Sequence, residues 1–363
     1  MQSRSAEARR RLEALEWELS SWTRRFQYQR EALEERGLMT WIPNLCPSTR
    51  SLEGAMERLA SRREPPAQDD TGGAPTDVRE TDPVTPKDPG TSLQARPVFV
   101  FGCSWRSGST LLQRLISSTD ELFVWGENDG FATRLMALHA DGSVGSPELR
   151  TFYRDYYGQE TTALGRGRWG FKEVRHGRPE GEFLLELFPE ARIVFLVRNP
   201  IDVAVSAARV AWEGSMPLDA VELWRRNVET MSDWDEERVL VVRYEDLIAE
   251  PARELGRVGE HIGIPGERFD ALLFDHRFRG RAAGTAADRV TALLEGVRRL
   301  REPAITRLAD ELGYSILDDK RLTGLGTALL SLRFSRAYRA LKRTLRRGRR
   351  LLHRILGRRH RQD

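Results

Sequence analysis

Two short stretches, about ninety residues apart, carry the residue types that seat a phosphate-like anion. The first is Pro97-Val98-Phe99-Val100-Phe101-Gly102-Cys103-Ser104-Trp105-Arg106-Ser107-Gly108-Ser109-Thr110-Leu111-Leu112: an apolar strand, a turn of small residues and the start of a helix. A strand that turns sharply into a helix leaves the first helical N–H groups unpaired at the positive end of the helix dipole. Gly108 permits close backbone approach, Ser107, Ser109 and Thr110 add hydroxyl donors, and Arg106 adds a full charge. The spacing is not that of a Walker A loop, since five residues separate Gly102 from Gly108 and Ser109 stands where the lysine belongs. The second stretch is Arg192-Ile193-Val194-Phe195-Leu196-Val197-Arg198-Asn199-Pro200. Here Asn199 suits an N-cap, Pro200 the first helical position and Asp202 the first turn. Arg198 is then held at the mouth of a strand, with Ser206 about two turns into the helix, roughly 9–10 Å along it. A guanidinium fork and a hydroxyl can clamp a phosphate from two sides. Two anion seats at two strand ends suggest one ligand with negative charge at both ends, as in a bis-phosphorylated nucleotide.

The elements that must position these residues alternate in type. Apolar runs predict strands at 97–102, 121–125, 168–172, 192–197 and 239–243. Helical patterns fall near 109–118, 129–140, 147–157, 181–188, 200–212, 217–234 and 250–262, with a closing helical region from about Val290 to Leu312. Such alternation predicts an α/β fold, a P-loop-like parallel sheet covered by helices on both faces, with the ligand at the C-terminal edge of the strands.

These residues resemble a family, the sulfotransferases that use 3′-phosphoadenosine 5′-phosphosulfate (PAPS). Trp105-Arg106-Ser107-Gly108-Ser109-Thr110 is similar to the 5′-phosphosulfate loop of the carbohydrate and tyrosylprotein sulfotransferases, and Arg198 with Ser206 to their 3′-phosphate site. Trp169-Gly170-Phe171-Lys172-Glu173-Val174-Arg175 resembles a segment common in bacterial members, and Arg243-Tyr244-Glu245-Asp246-Leu247 and Leu312-Gly313-Tyr314 also resemble the family. The resemblance covers roughly residues 97 to 315. Cytosolic small-molecule sulfotransferases carry a lysine in the first loop and a histidine base near the middle lysine, whereas this chain has Arg106, and His176 four residues after Lys172. That places it nearer the carbohydrate and tyrosylprotein branch, whose base is a glutamate after the second strand. The matching residue is Glu127, in Leu122-Phe123-Val124-Trp125-Gly126-Glu127-Asn128. Arg279, Gly280 and Arg281 are the poorest match, to the family's late nucleotide-binding loop.

Sulfuryl transfer requires a deprotonated acceptor, neutralisation of the leaving phosphate and in-line positioning, with little covalent work for the protein. Glu127 would be the general base and Lys172 would sit at the bridging oxygen, with Arg106 beside the same group. Only four of the 58 Lys and Arg residues are lysine, at 87, 172, 320 and 342, so Lys172 alone lies in the central domain. A chain that otherwise favours arginine has a compact, movable point charge there. Plainer readings stand beside these. Glu127 also suits a helix N-terminus facing water. His176, in a Gly/Arg/Pro-rich turn, reads as a surface loop residue, Arg243 and Glu245 as a pair or cap at a strand end, and Cys103 as a small packed residue. Trp125, Phe131 and Trp212 could stack on a sugar but fit a core equally. The histidines show no metal-ligand spacing, and no catalytic metal is expected.

Outside the central domain the composition changes. Residues 1–64 read as a helical arm: Ala8, Leu12, Leu15, Leu19, Trp22, Phe26 and Leu33 step by three and four with Gln29 in the open position, a coiled-coil-like seam suited to self-association or to packing, and a short helix follows from Leu52 to Leu59. Residues 65–96 are rich in Pro, Gly, Asp and Thr and read as a disordered linker between the arm and the catalytic domain at 97–315. Residues 320–363 hold 15 Lys or Arg and one acid, net +14 in a chain of net +4. Leu330, Phe334, Tyr338, Leu341, Leu345, Leu352, Ile355 and Leu356 make one apolar stripe in that basic helix. Such a helix lies on an anionic membrane surface at about 1 kcal/mol per basic residue; a nucleic-acid arm, against which the continuous stripe argues, and docking on the domain's own acidic surface are the other readings. No apolar run reaches a membrane span, Met1-Gln2-Ser3-Arg4 opens no signal peptide and cysteines number two. The expectation is a cytoplasmic bacterial enzyme, peripheral on the inner face of the cell membrane, sulfating a carbohydrate or glycolipid hydroxyl. A P-loop kinase and a non-catalytic nucleotide-binding adaptor are the other readings.

Overall fold

The computed structural model describes residues 47, 49–61, 96–127, 131–210, 216–231, 234–235, 237–275, 296 and 298–318. The seam Ala8–Leu33, the linker, Trp212, the Arg279–Arg281 loop and the basic tail lie outside the described residues. The described residues up to Gly296 form one compact unit and those from residue 298 a second.

Five strands, β1 (Val98–Gly102), β2 (Leu122–Trp125), β3 (Arg168–Glu173), β4 (Arg192–Val197) and β5 (Val239–Arg243), form one sheet of order β2-β3-β1-β4-β5. Every pairing is parallel. All five strands therefore end at the same edge. β1 is central, with β3 on one side and β4 on the other. The loop after β1 is thus flanked by whatever β3 and β4 carry at their C-terminal ends, namely Lys172 and Arg198.

The alternation Val98-Phe99-Val100-Phe101 gives the sheet two unlike faces, because successive strand residues point to opposite sides. Val98, Val100, Val124, Val194, Leu196 and Val242 make the aliphatic face. It packs on Leu112, Leu115 and Ile116 of α2 (Ser109–Ser117) and on Leu255 and Val258 of α10 (Pro251–Ile262). Phe99, Trp169 and Phe171 make the other face, with Tyr153 and Tyr157 stacked on Trp169 and Phe171 and Phe188 set edge-on to Trp169. Register pairs Val100 with Lys172 and Phe99 with Phe171, which puts Lys172 on the aliphatic face beneath the start of α2.

The remaining helices are α1 (Thr49–Ser61), α3 (Phe131–Ala140), α4 (Ser146–Tyr153), α5 (Gln159–Ala163), α6 (Arg178–Leu187), α7 (Pro200–Val210), α8 (Met216–Glu229) and α9 (Tyr244–Ala249). α4 does not stop at 157 as its pattern predicts. It runs through a π turn at Arg154–Gly158 into α5, where Thr161 Oγ1 donates to Tyr157 O (2.7 Å) and accepts from the indole of Trp125 (2.9 Å). The helix thus continues past its predicted end, and the Thr161 hydroxyl on it satisfies the buried Trp125 indole. α6 begins at Arg178 rather than 181, since Pro179 sits in its first turn as a proline can.

α1 covers the predicted 52–59 stretch and extends it. It packs on α4 and the π turn, with Leu52, Ala55, Met56 and Leu59 buried. Ser51 donates to Glu160 (2.6 Å) and Arg58 pairs with Asp155 (2.5 Å). In the second unit, α11 (Pro303–Glu311) buries Ile305, Leu308 and Ala309 and ends on Gly313, at φ 74°.

Candidate active site

β1 runs into a loop whose shape is set by two left-handed residues, Arg106 (φ 67°) and Gly108 (φ 97°). Arg106 is the only non-glycine residue at positive φ among the described residues, a conformation costing on the order of 1 kcal/mol or more. α2 begins directly after Gly108 with no side-chain cap, so its first N–H groups are left for a ligand. Gly108 is required twice over. Its φ disfavours any side chain, and a Cβ there would lie 2.4 Å from the ring of Tyr244.

The arginine side of the site is assembled around this loop. Arg198 Nη1 donates to Arg106 O (2.9 Å), Arg106 Nε donates to Ser206 Oγ (3.2 Å), and the Arg198 guanidinium lies over the Tyr244 ring at 4.2 Å. The two candidate anion seats, 92 residues apart, thus share one cluster. α7 starts as its sequence predicts: Asn199 Oδ1 accepts from Ile201 N (2.9 Å). Burial, then the neighbouring Arg198 charge, pulls the Arg106 pKa down from its ordinary value. Two partly desolvated guanidiniums side by side favour an anion between them. Ser107 Oγ and Arg198 Nε are buried without a hydrogen-bond partner. Orphan donors of this kind at a helix N-terminus fit a phosphate or sulfate oxygen.

On the other flank, Lys172 is 1% exposed and its ammonium pairs with Glu127, just beyond the end of β2 and 22% exposed. Lys172 Nζ also donates to Thr110 Oγ1 (3.4 Å) in the first turn of α2. One ammonium therefore links the carboxylate to the anion loop. Arg106, Ser107, Gly108, Ser109, Thr110, Lys172, Glu127, Arg198 and Ser206 meet at one edge of the sheet, the first five in a single loop.

His176 is not the surface residue its Gly/Arg/Pro-rich surroundings predict. It is 2% exposed, stacked on Phe101 at 4.2 Å and set edge-on to Phe195. Its Nε2 lies 3.1 Å from Gly102 O, and Nδ1 has no partner. The loop after β3 folds back over the aromatic face, where the Gly102 carbonyl needs a donor. Burial pushes the His176 pKa down to about 3. Closed off from solvent and committed to a carbonyl, it is poorly placed to take an acceptor's proton. The unfolded chain binds the extra proton between about pH 6.5 and 3 and the folded one does not, so stability drops as pH falls through 6.5. We expect this residue alone to lower stability by about 1 kcal/mol per pH unit between about pH 6 and 3, read from urea melts and absent in His176→Phe.

Arg243 pairs with Asp246 (3.8 Å), and Glu245 accepts the Asn199 N–H (2.9 Å), steadying the entry to α7. Cys103 is buried, and burial raises its thiol to about 12. Trp125 is a fully buried core residue rather than a platform for a sugar. Among the described residues no group of three or more His, Cys, Asp or Glu is placed to hold a metal ion, and no helix is long and apolar enough to cross a membrane. Sequence reasoning gave no role to Tyr244, which underlies both Arg198 and Gly108. Its signal was its place directly after β5, at the edge where the candidate residues gather.

Residues 97–268 match the model of the sulfotransferase family. Similar solved structures include the sulfotransferase domain of the Synechococcus PCC 7002 olefin synthase (20% identity, 60% of this chain, 96% of that chain, TM-score 0.38). Sulfotransferase STF1 from Mycobacterium tuberculosis H37Rv is another (15% identity, 73% and 89% covered, TM-score 0.41). A mouse sulfotransferase, SULT7A1, complexed with PAP, is a third (14% identity, 65% and 92% covered, TM-score 0.35). No curated protein matches the chain. The matched segment spans all five strands of the parallel sheet, so it is residues 97–268 that carry this chain's likeness to the sulfotransferase family.

Proposed function

We propose that the protein transfers the sulfuryl group of PAPS to a hydroxyl of a glycan, glycolipid or other envelope-linked acceptor. The observation that carries this reading is the double flanking of one anion loop, by Lys172 with Glu127 on one side and by Arg198 with Ser206 on the other. PAPS, when bound, supplies an activated S–O bond to a 5′-phosphate that leaves with negative charge.

Each residue's task follows from its place. The amides of the first turn of α2, with Ser107, Ser109, Thr110 and Arg106, hold the phosphosulfate end. Arg198 and Ser206 hold the 3′-phosphate as fork and hydroxyl. Glu127 takes the acceptor hydroxyl's proton, a role worth about 10²–10⁴-fold. Lys172, reaching both Glu127 and Thr110, offsets charge on the departing oxygen. A carboxylate base, rather than a histidine, matches the carbohydrate and tyrosylprotein branch. The basic, apolar-striped sequence of residues 320–363 supports an acceptor held at an anionic membrane.

The test is calorimetry without metal ions, using 3′,5′-ADP, ATP and 5′-AMP. The doubly phosphorylated ligand should bind at least about tenfold more tightly than 5′-AMP, since each charge-assisted phosphate contact contributes roughly 1.5–3 kcal/mol. Binding of ATP alone would instead support a kinase.

A further inference from the structure

One face of α8 is fastened to both anion seats, although none of its residues belongs to either. Three successive positions on that face, at steps of four and three, do the fastening. Ala220 O accepts from Ser104 Oγ (2.6 Å), at the start of the anion loop. The Trp224 indole N–H donates to the backbone carbonyl of Arg198 (2.9 Å). Asn227 Nδ2 faces three carbonyls, those of Gly102 (3.4 Å), Cys103 (3.2 Å) and Val174 (2.8 Å). Trp224 and Asn227 are both fully buried.

The Asn227 contacts are informative in themselves. Carbonyls of successive residues alternate in direction along a pleated strand, yet those of Gly102 and Cys103 converge on one side chain. The chain therefore leaves the sheet at that point, and the amide fixes where. Three surrounding carbonyls also settle the orientation of the side chain, with its NH2 toward them. Its Oδ1 has no hydrogen-bond partner, so the residue sits there at a cost that its donor function must offset. Val174 O lies in the loop after β3, two residues beyond Lys172, so the same amide ties the lysine's strand end to the anion loop. Trp224 does the equivalent for β4, holding the carbonyl of the very residue whose guanidinium crosses to Arg106.

We infer that α8 is a strut, and that Asn227 and Trp224 are positioning residues: Asn227 sets the phosphosulfate loop and Trp224 sets Arg198. Neither touches the ligand. The nucleotide arm of the test rests on the function proposed above, and the exchange arm does not.

Hydrogen exchange on the ligand-free protein comes first. In Asn227→Leu, which removes the donor and also the orphan oxygen, amides of residues 103–110 should exchange about tenfold faster while those of β1, β3 and β4 keep the wild-type rate. In Trp224→Phe, which keeps a ring and removes only the N–H, the faster amides should be those of Arg198, Asn199 and Ile201. Unchanged loops, or a uniform acceleration over the whole sheet, would overturn the inference, the latter by showing a merely structural role. Calorimetry follows. Asn227→Leu should weaken 3′,5′-ADP and 5′-AMP alike, about tenfold, whereas Trp224→Phe should weaken 3′,5′-ADP about tenfold and leave 5′-AMP within about twofold. Equal losses for both ligands in Trp224→Phe would contradict its assignment to the 3′ seat. Should Asn227→Leu not fold, Trp224→Phe alone decides the matter by both readouts. If the wild-type protein binds neither nucleotide, the proposed function falls, and the exchange pattern still decides whether α8 is the strut.

Discussion

Glu127→Gln should lower kcat by about 10²–10⁴-fold, the usual worth of a positioned general base, while affinity for 3′,5′-ADP stays within about twofold. The separation is expected because glutamine keeps an oxygen for the Lys172 ammonium but cannot take a proton. Glu127 stands beyond β2, on the lysine side of the loop, and none of the Arg198 contacts pass through it. Lys172 is buried, so losing its anionic partner leaves a charge partly uncompensated. A thermal melt on the same sample separates that effect from chemistry: a modestly lower Tm with intact nucleotide affinity and lost turnover is the predicted pattern. Turnover near the wild-type rate would remove Glu127 from the mechanism.

Arg198→Ala should act on the other quantity. It removes a charged donor from the proposed 3′-phosphate seat and also the bond that anchors Arg106 O. We expect affinity for 3′,5′-ADP to fall roughly 10–100-fold, in line with about 1.5–3 kcal/mol for a charge-assisted hydrogen bond. The loss for 5′-AMP should be smaller. Arg198→Lys should recover little, because a point charge can neither fork around a phosphate nor stack flat on Tyr244 as the guanidinium does at 4.2 Å. Calorimetry checks both variants. An Arg198→Ala protein that loses equal affinity for the two ligands would mean that the residue only shapes the loop.

How much of this was legible in the sequence depends on how local the cause is. The five strands and the start of α7 follow from runs and caps within a few residues, and the alternation in β1 even separates the two faces of the sheet. The convergence of Arg106, Lys172 and Arg198 was readable too, because parallel strands end at one edge and each of these residues lies at or near a strand's C-terminal end. What escaped depends on partners far away in the chain. His176 looks like a turn residue until the Gly102 carbonyl, 74 positions earlier, is brought against it. The α4–π–α5 run brings Thr161 to the Trp125 indole, which its own pattern does not show. Asn227 and Trp224 read as ordinary members of an amphipathic helix, and only the carbonyls they meet reveal their use.

The docking of α1 bears on where this protein can be cut. The family match begins at residue 97, yet four side chains from 49–61 are at most 4% exposed against the π-turn region. Removing them would uncover an apolar surface at about 1.5–3 kcal/mol for each large side chain, a sum that rivals the 5–15 kcal/mol by which typical domains hold together. The smallest autonomous piece thus reaches back across the intervening stretch to Thr49, and a boundary drawn by kinship falls inside a boundary drawn by cohesion.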